Sequence, residues 1–600
     1  MAIADALNDP ELLGTAWDLS PLVDGDEESG VQRQLDEALT RSDAFAAAYN
    51  GKLAELDGAG LAAAMHELGA INELVGRAGS FASLQFATDS DDPARGALLQ
   101  LVQERATELE TKLLFFELQW AALPDEQAEA LLADPALGFC AHYLRSARRY
   151  RPHLLSEPEE RIFAEKSLAS SGSWARLFGE LMAALRVTVD GEPVVLDVAL
   201  SRLLDPDRDT RRAVAESLSE ALEPGLRTRA FIYNTLVYDK SVDDRLRSYP
   251  HWLASRNLAN EASDESVMAL IEAVRGRFDI PQRWYRLKAK LLGLDRLADY
   301  DRNAPLETKE IVYSFGEARE FVLDTYASLS PDAGNVVRRF FDERWIDAPT
   351  RPHKRGGAFC SYTVPSVHPY VMLNYTANRR DVLVMAHELG HGLHAALAQP
   401  QGVFQQGTPL TTAETASVFG EALTFGRLLD AVGDDDARLG LLAERIDGSI
   451  ATVFRQMAMN RFEHLVHTGR RSEGELSVDR INAMWTESQA EMFGDSVEML
   501  DGYRMWWSYV PHFINTPGYV YAYAYGQLLA LSVYSRYLSQ GASFAPAYLQ
   551  MLAAGGSRSP EELGRIVGID LADPGFWDSG IDLIEQQLRD AEELVARRES

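Results

Sequence analysis

Residues 386–394 read AHELGHGLH. On an α-helix, positions four apart lie on one face, so His387 and His391 can each turn an imidazole nitrogen toward one ion. Glu388 stands beside His387, slightly rotated, where its carboxylate can reach a water held by that ion. This is zinc hydrolase chemistry. The metal lowers the pKa of its water to about 7, and the neighbouring carboxylate takes the proton as the water attacks. A near copy, MHELGA at 65–70, shows what the spacing demands. Ala70 stands where a second imidazole should be, so His66 and Glu67 read as ordinary helix residues.

Two imidazoles need a third protein ligand. A third histidine further along the same helix is excluded, because Leu397 occupies its place and His394 occupies that of the preceding glycine. The alternative is a glutamate from a following helix. TTAETASVFGEALTFG (411–426) supplies Glu414 and Glu421, which share a face two turns apart. Glu414 is the better ligand candidate. Glu421 suits the hydrogen bond that a ligating histidine needs at its other ring nitrogen. His394, roughly on the face of His387, is either a supporting group or a packed or exposed helix histidine. One zinc per chain is expected, since a His₂Glu set with an open position suits zinc better than cobalt or manganese. His368, before a proline in a strand-like stretch, is a weaker candidate for approaching substrate.

A second candidate group is VPHFINTPGYVYAYAYGQ (510–527), with His512 followed by Tyr519, Tyr521, Tyr523 and Tyr525. As a strand, alternate tyrosines would line one face; as a helix, Tyr519 and Tyr523 would pair. The plain reading is aromatic packing. The chemical reading is that a phenol or imidazole donor stabilises the oxyanion that amide hydrolysis creates. Gly518 permits a bend beside them.

The elements that must position these groups are mostly helices. From about 31 to 135 apolar residues recur at three- and four-residue spacing, as in RQLDEALTRSDAFAAAYNGKLAEL. SLASSGSW (167–174) reads as a loop or helix start, and RVTVDGEPVVLDV (186–198) as a hairpin around Asp190-Gly191. This places a boundary near 185–205, giving an N-terminal helical region over 1–195 and a catalytic region over 196–600. GGAFCSYTVPSVHPYVMLNYTAN predicts a small β element, with strand character from Tyr370 to Tyr375, just before the His387 helix.

The net charge of −32, from 58 basic and 90 acidic residues, argues against nucleic-acid binding and against docking on an anionic membrane. Two distant cysteines, Cys140 and Cys360, form neither a disulfide framework nor a CxxC pair. Cys360 reads as a small buried residue, not a nucleophile. The N-terminus lacks a secretory pattern and no apolar run is long enough for a bilayer, so a cytoplasmic location is expected.

Together, GGAFC, HPYVMLNYTANRRDVLVMAHELGHGLH, ETASVFGEAL and PHFINTPGYVYAYAYG resemble the oligoendopeptidase F group of the thimet oligopeptidase family of zinc metallopeptidases, over roughly residues 190–590. The resemblance implies a mainly α, clam-like enzyme with zinc on the floor of a deep channel and short unstructured peptides as substrates. It implies His387, His391 and Glu414 as metal ligands and Glu388 as general base. It maps the family's substrate-positioning and oxyanion-stabilising histidine and tyrosines onto His512 and the run after it, with Tyr519 and Tyr523 first. It also implies that the GGAFC and MLNY stretches line the channel wall, where an extended peptide can bond to a strand edge. Competing readings are a carboxypeptidase that captures a terminal carboxylate through Arg379, Arg380 or Arg504, a catalytically silent peptide binder, and a structural helical protein. Oligomeric state and cleavage preference are not legible.

Overall fold

Helices in the first part of the chain begin where the sequence supplies caps. α1 (Glu27–Tyr49) is followed by α2 (Gly58–Thr88), where the Asp57 side chain accepts the Gly60 N–H. In α3 (Pro93–Ala122), Asp92 accepts the Ala94 N–H and a proline occupies the first turn. The three pack around Phe45, Met65, Leu68, Phe116 and Trp120. The structure is a computed structural model describing residues 3–25, 27–167, 169–306 and 311–599.

The chain forms two compact units, each assembled from three separated segments. The first comprises Met1–Arg151, Glu310–Leu428 and Val533–Asp570; the second comprises Pro152–Lys309, Leu429–Ser532 and Leu571–Ser600. The stretch 167–174 falls where one helix ends at Ser167 and the next begins at Ser171, with residue 168 outside the described residues. β1 (Val187–Val189) and β2 (Glu192–Val194) form the expected hairpin, Val189 opposite Glu192. Asp190 and Gly191 between them both have positive φ, 54° and 84°, as a type I′ turn requires. α4 (Leu226–Leu246) follows in the second unit.

In the first unit, α5 (Phe315–Leu329) and α6 (Pro331–Asp342) precede a three-stranded sheet of β3 (Ile346–Pro349), β4 (Phe359–Ser361) and β5 (Tyr370–Tyr375). β5 is central, parallel to β3 and antiparallel to β4, which leaves β4 at an edge. As the covered strand, β5 is a nearly continuous apolar run. The buried Lys354 ammonium ties the sheet together, meeting Asp347 Oδ1 at 2.6 Å and the carbonyls of Pro349 and Leu373 at 2.8 and 2.6 Å. β5 leads into α7 (Arg379–Ala398), which carries His387, Glu388 and His391, and α8 (Ser417–Ala431) packs against α7. The second unit also holds α9 (Arg455–Glu473), while α10 (Tyr521–Gln540) starts in it and runs on past Ser532, where its middle segment ends. Phe462, Trp485, Trp507 and Phe513 form an aromatic core beside α9. The expected mainly α architecture, with a small β element beside the motif helix, is what the chain adopts. Among the described residues no helix is long and apolar enough to cross a membrane.

Candidate metal centre

α7 starts at a reciprocal cap. Asn378 Oδ1 accepts the Asp381 N–H at 3.0 Å, and Asp381 Oδ2 accepts the Asn378 N–H at 3.1 Å. Further along, α7 and α8 close to backbone contact. A Cβ on Gly390 would stand 2.5 Å from the Ala416 carbonyl oxygen and 2.7 Å from Ser417 Cα, and one on Gly420 would overlap the Tyr326 hydroxyl. Tyr326, from α5, donates that hydroxyl to the Ala386 carbonyl at 2.6 Å. The missing side chains at 390 and 420 are what bring the glutamates within reach of the histidines.

Glu414 sits at the end of a short helix, Leu410–Ala413, just before α8, and its backbone carbonyl accepts the Val418 N–H at 3.1 Å. The two glutamates are therefore related through a helix break, not along one uninterrupted helix as the spacing suggests. Glu414 Oε2 lies 3.4 Å from both His387 Nε2 and His391 Nε2. The three donor atoms lie within 4.8 Å of one another, and they are the one such group of three among the described residues. Two ligands at zinc bonding distance and a tetrahedral angle stand about 3.3–3.5 Å apart, so the donor set fits zinc. Ser417 Oγ steadies the carboxylate, donating to Glu414 Oε2 at 2.6 Å. Glu421 Oε2 meets His387 Nδ1 at 3.1 Å, the partner that leaves Nε2 free to ligate.

The local field favours a cation. Burial opposes charge on His387, but hydrogen bonds to Glu414 and Glu421 outweigh it and raise its pKa to about 10. Burial likewise pushes Glu414 up, but hydrogen bonds from His387 and His391 hold it well below the usual carboxylate range. Glu388 is 7% exposed, and burial raises its pKa above the ordinary value. It lines a pocket of about 520 Å³ together with the three ligand candidates, Phe359, Cys360, Tyr362 and Thr408.

Other candidates fall into place around this group. Of the two stretches expected along a channel wall, Ala358, Phe359 and Cys360 of the first line the pocket, followed by Tyr362, while Met372, Leu373 and Tyr375 of the second are buried in the sheet. Tyr362 was not singled out by sequence. Its ring centroid is 6.5 Å from that of His391, and its hydroxyl is buried without a hydrogen-bond partner. The clue lay in FCSYT, where β4 alternation puts residue 362 on the face of residue 360. Burial raises the Cys360 thiol well above its usual range, so it stays protonated. His394 lies outside the ligand group. It is 3% exposed, its ring packs against Tyr362, and burial lowers its pKa to about 3. His368 stacks on Trp345 with ring centroids 4.3 Å apart, and His66 stacks on Phe139 at 4.2 Å. Among the described lining residues there is no Lys or Arg, and Arg504 is paired with Asp501.

The tyrosine run belongs to the second unit and is helical from Tyr521 onward. Tyr521 and Tyr525 are fully buried: Tyr521 accepts a hydrogen bond from Asn260, and Tyr525 packs on Trp577. Tyr519 and Tyr523 are half-buried and gather with His512. The rings of His512 and Tyr519 are stacked at 5.9 Å, Tyr519 and Tyr523 meet edge-on at 5.0 Å, and His512 Nε2 is 3.2 Å from the Tyr523 hydroxyl. Burial lowers the His512 pKa, so the imidazole is neutral at pH 7.

Residues 202–583 match peptidase family M3, and residues 119–186 match the family region described as oligopeptidase F. Oligopeptidase PepF of Bacillus subtilis is 26% identical over 79% of this chain and 72% of its own length. Group B oligopeptidase PepB of Streptococcus agalactiae is 26% identical over 85% and 86%. A solved Chlamydophila abortus structure matches with a TM-score of 0.87 at 23% identity, over 98% of this chain and 99% of its own. The oligoendopeptidase-F structure from Enterococcus faecium matches with a TM-score of 0.71 at 22% identity, over 94% and 98%. These agreements, joined to the His387–His391–Glu414 group, show that the chain belongs to peptidase family M3 and is a metallopeptidase of its oligoendopeptidase F group.

Proposed function

We propose that this metalloendopeptidase uses zinc to cut internal bonds of short, unstructured peptides. One observation carries the reading: the donor atoms of His387, His391 and Glu414 converge with Glu388 in the wall of the same pocket. Zinc held there supplies a Lewis acid for the scissile carbonyl and acidifies water. Glu388 takes the proton of the attacking water and returns it to the departing amine. Glu421 holds His387 with Nε2 toward the metal position. β4, a short edge strand whose Phe359 and Cys360 line the pocket, is suited to pairing with an extended peptide.

His512, Tyr519 and Tyr523 are assigned to substrate positioning and oxyanion stabilisation. The support is a neutral imidazole within hydrogen-bond reach of a half-buried phenol. His394 is assigned a packing role behind Tyr362. A sequence division into an N-terminal helical region (1–195) and a catalytic region (196–600) is retained as part of this proposal, as is a cytoplasmic location. A carboxypeptidase is less favoured because the described lining residues offer no cation for a terminal carboxylate.

The test is mass spectrometry of a defined mixture of short peptides incubated with the protein as purified, after chelation, and after zinc is returned. Internal cuts that vanish with chelator and return with zinc are expected. Stepwise C-terminal ladders would identify a carboxypeptidase, and no cleavage with one bound zinc would identify a silent binder. Glu414→Ala is expected to lose the metal; full zinc occupancy in that variant would move the third ligand elsewhere.

A further inference from the structure

Between the short helix at His512 and α10, the chain makes a turn that depends on a residue far away in sequence. Tyr519 N–H bonds to the Thr516 carbonyl at 3.1 Å, closing a four-residue turn with Pro517 and Gly518 at its centre. Gly518 has φ +75°, so this is a type II turn, with proline pre-set at the first central position and glycine required at the second. A Cβ at 518 would also stand 2.9 Å from Leu253 Cδ2, so that methyl would have to shift. Type I and type II turns differ by a flip of their central peptide, so the partner of the Gly518 N–H decides between them.

That partner is Glu463 of α9. Its Oε1 accepts the Gly518 N–H at 2.8 Å, and its side chain is 0% exposed. Among the described residues Glu463 makes no ion pair; Arg256 and Lys240 act on it only at a distance. Its other oxygen, Oε2, is buried without a hydrogen-bond partner, as is the hydroxyl of nearby Tyr233. Placing a carboxyl there is costly, and a purely structural helix position would be filled by an apolar residue. Burial raises its pKa to about 8, so at pH 7 it is a neutral acid, close in shape and hydrogen bonding to glutamine.

We infer that Glu463 is a positioning residue for the peptidase reaction: its carboxyl selects the type II turn at Pro517–Gly518 and thereby sets Tyr519 and Tyr523 against His512. The inference rests on the proposed role of His512 and Tyr523, and it adds a residue from a different helix to that group. It also assigns Gly518 a purpose: the turn needs its positive φ, and the anchor needs its N–H.

The test compares Glu463→Gln, Glu463→Asp and Glu463→Leu with Tyr523→Phe. The readouts are kcat, KM and zinc content, with hydrogen–deuterium exchange of the 512–525 segment in the full chain. Glutamine keeps the acceptor and the reach, so wild-type kcat and wild-type exchange are expected. Aspartate is one methylene short and leucine has no acceptor. Both are expected to lose at least tenfold in kcat, with zinc retained and exchange of the 512–525 segment accelerated. If the leucine variant does not fold, the aspartate–glutamine contrast decides. Wild-type kcat in the aspartate variant, or a glutamine variant as impaired as aspartate, would overturn the inference. If Tyr523→Phe leaves kcat unchanged, the proposed donor role itself fails. Glu463 is then judged by exchange alone: unchanged protection in the aspartate variant overturns it, and protection lost there but kept with glutamine sustains it.

Discussion

At the scale of single residues, the proposed mechanism gives binding the metal and moving the proton to different groups. Glu388 lies outside the ligand group yet lines the same pocket, and its buried carboxyl is a stronger base than one in water. Glu388→Gln is therefore expected to keep one zinc per chain and lose about 10²–10⁴-fold in kcat, read from metal analysis and peptide turnover. In the proposed mechanism Glu421 acts through His387, whose Nδ1 it meets. Glu421→Gln is expected to weaken zinc affinity about 10–100-fold, measured by competition with a chromophoric chelator. Glu463 gives a pH prediction with a definite sign. Its folded pKa, about 8, lies above the unfolded value of about 4.3, so the folded chain holds a proton that the unfolded chain releases. The stability this contributes is full below pH 4 and is lost as pH rises through 8. Arg256 and Lys240 reduce the shift and burial dominates, while burial moves Tyr233 well above and His467 well below their ordinary values. The melting temperature of Glu463→Gln relative to wild type is expected to climb from about pH 5 to 8 and then level off. A flat difference across that range would remove Glu463 as the titrating group.

At the scale of elements, the centre depends on two helices that touch through glycines. Gly420 lies under the Tyr326 hydroxyl, and that hydroxyl is bonded to the carbonyl just before His387. Gly420→Ala alone is expected to cost about 1–3 kcal/mol, because the added carbon must push Tyr326 off α7. Tyr326→Phe removes the colliding oxygen, so the double variant is expected to recover much of that loss in thermal melts. Strictly additive effects would mean that the two positions do not meet. Much of this region was legible beforehand. The four-residue histidine spacing, the Asp-Gly hairpin and the β-rich run at 370–375 each carry a local signal strong enough to survive tertiary packing. Three features were not legible. The break before α8 depends on how Glu414 is held by Ser417 and the histidines. Tyr362 reaches the pocket because β4 pairs with β5, which is a non-local fact. The Glu463–Gly518 contact joins residues far apart in sequence, and no periodicity announces it. The tyrosine run was ambiguous between strand and helix. The burial of Tyr521 and Tyr525, one turn apart, settles it as a helix with two sides.

At the scale of the whole molecule, the field at the His387–His391–Glu414 group favours a cation, so metal removal is expected to have an effect beyond lost turnover. A ligand that binds only the folded chain stabilises it by mass action, and chelation is expected to lower the melting temperature reversibly, with zinc return restoring it. The way the two units are assembled reaches further, into biosynthesis. The first needs Val533–Asp570 and the second needs Leu571–Ser600, so both stay unfinished until nearly all the described chain has been made. Domain-by-domain folding on the ribosome, the usual protection for a long chain, is closed to it. α1 to α3 can gather early from local contacts, but the His387 helix must wait without its closing partners. Nascent chains of this protein should therefore lean on chaperones, with the metal group left open until the 533–570 segment has joined the first unit.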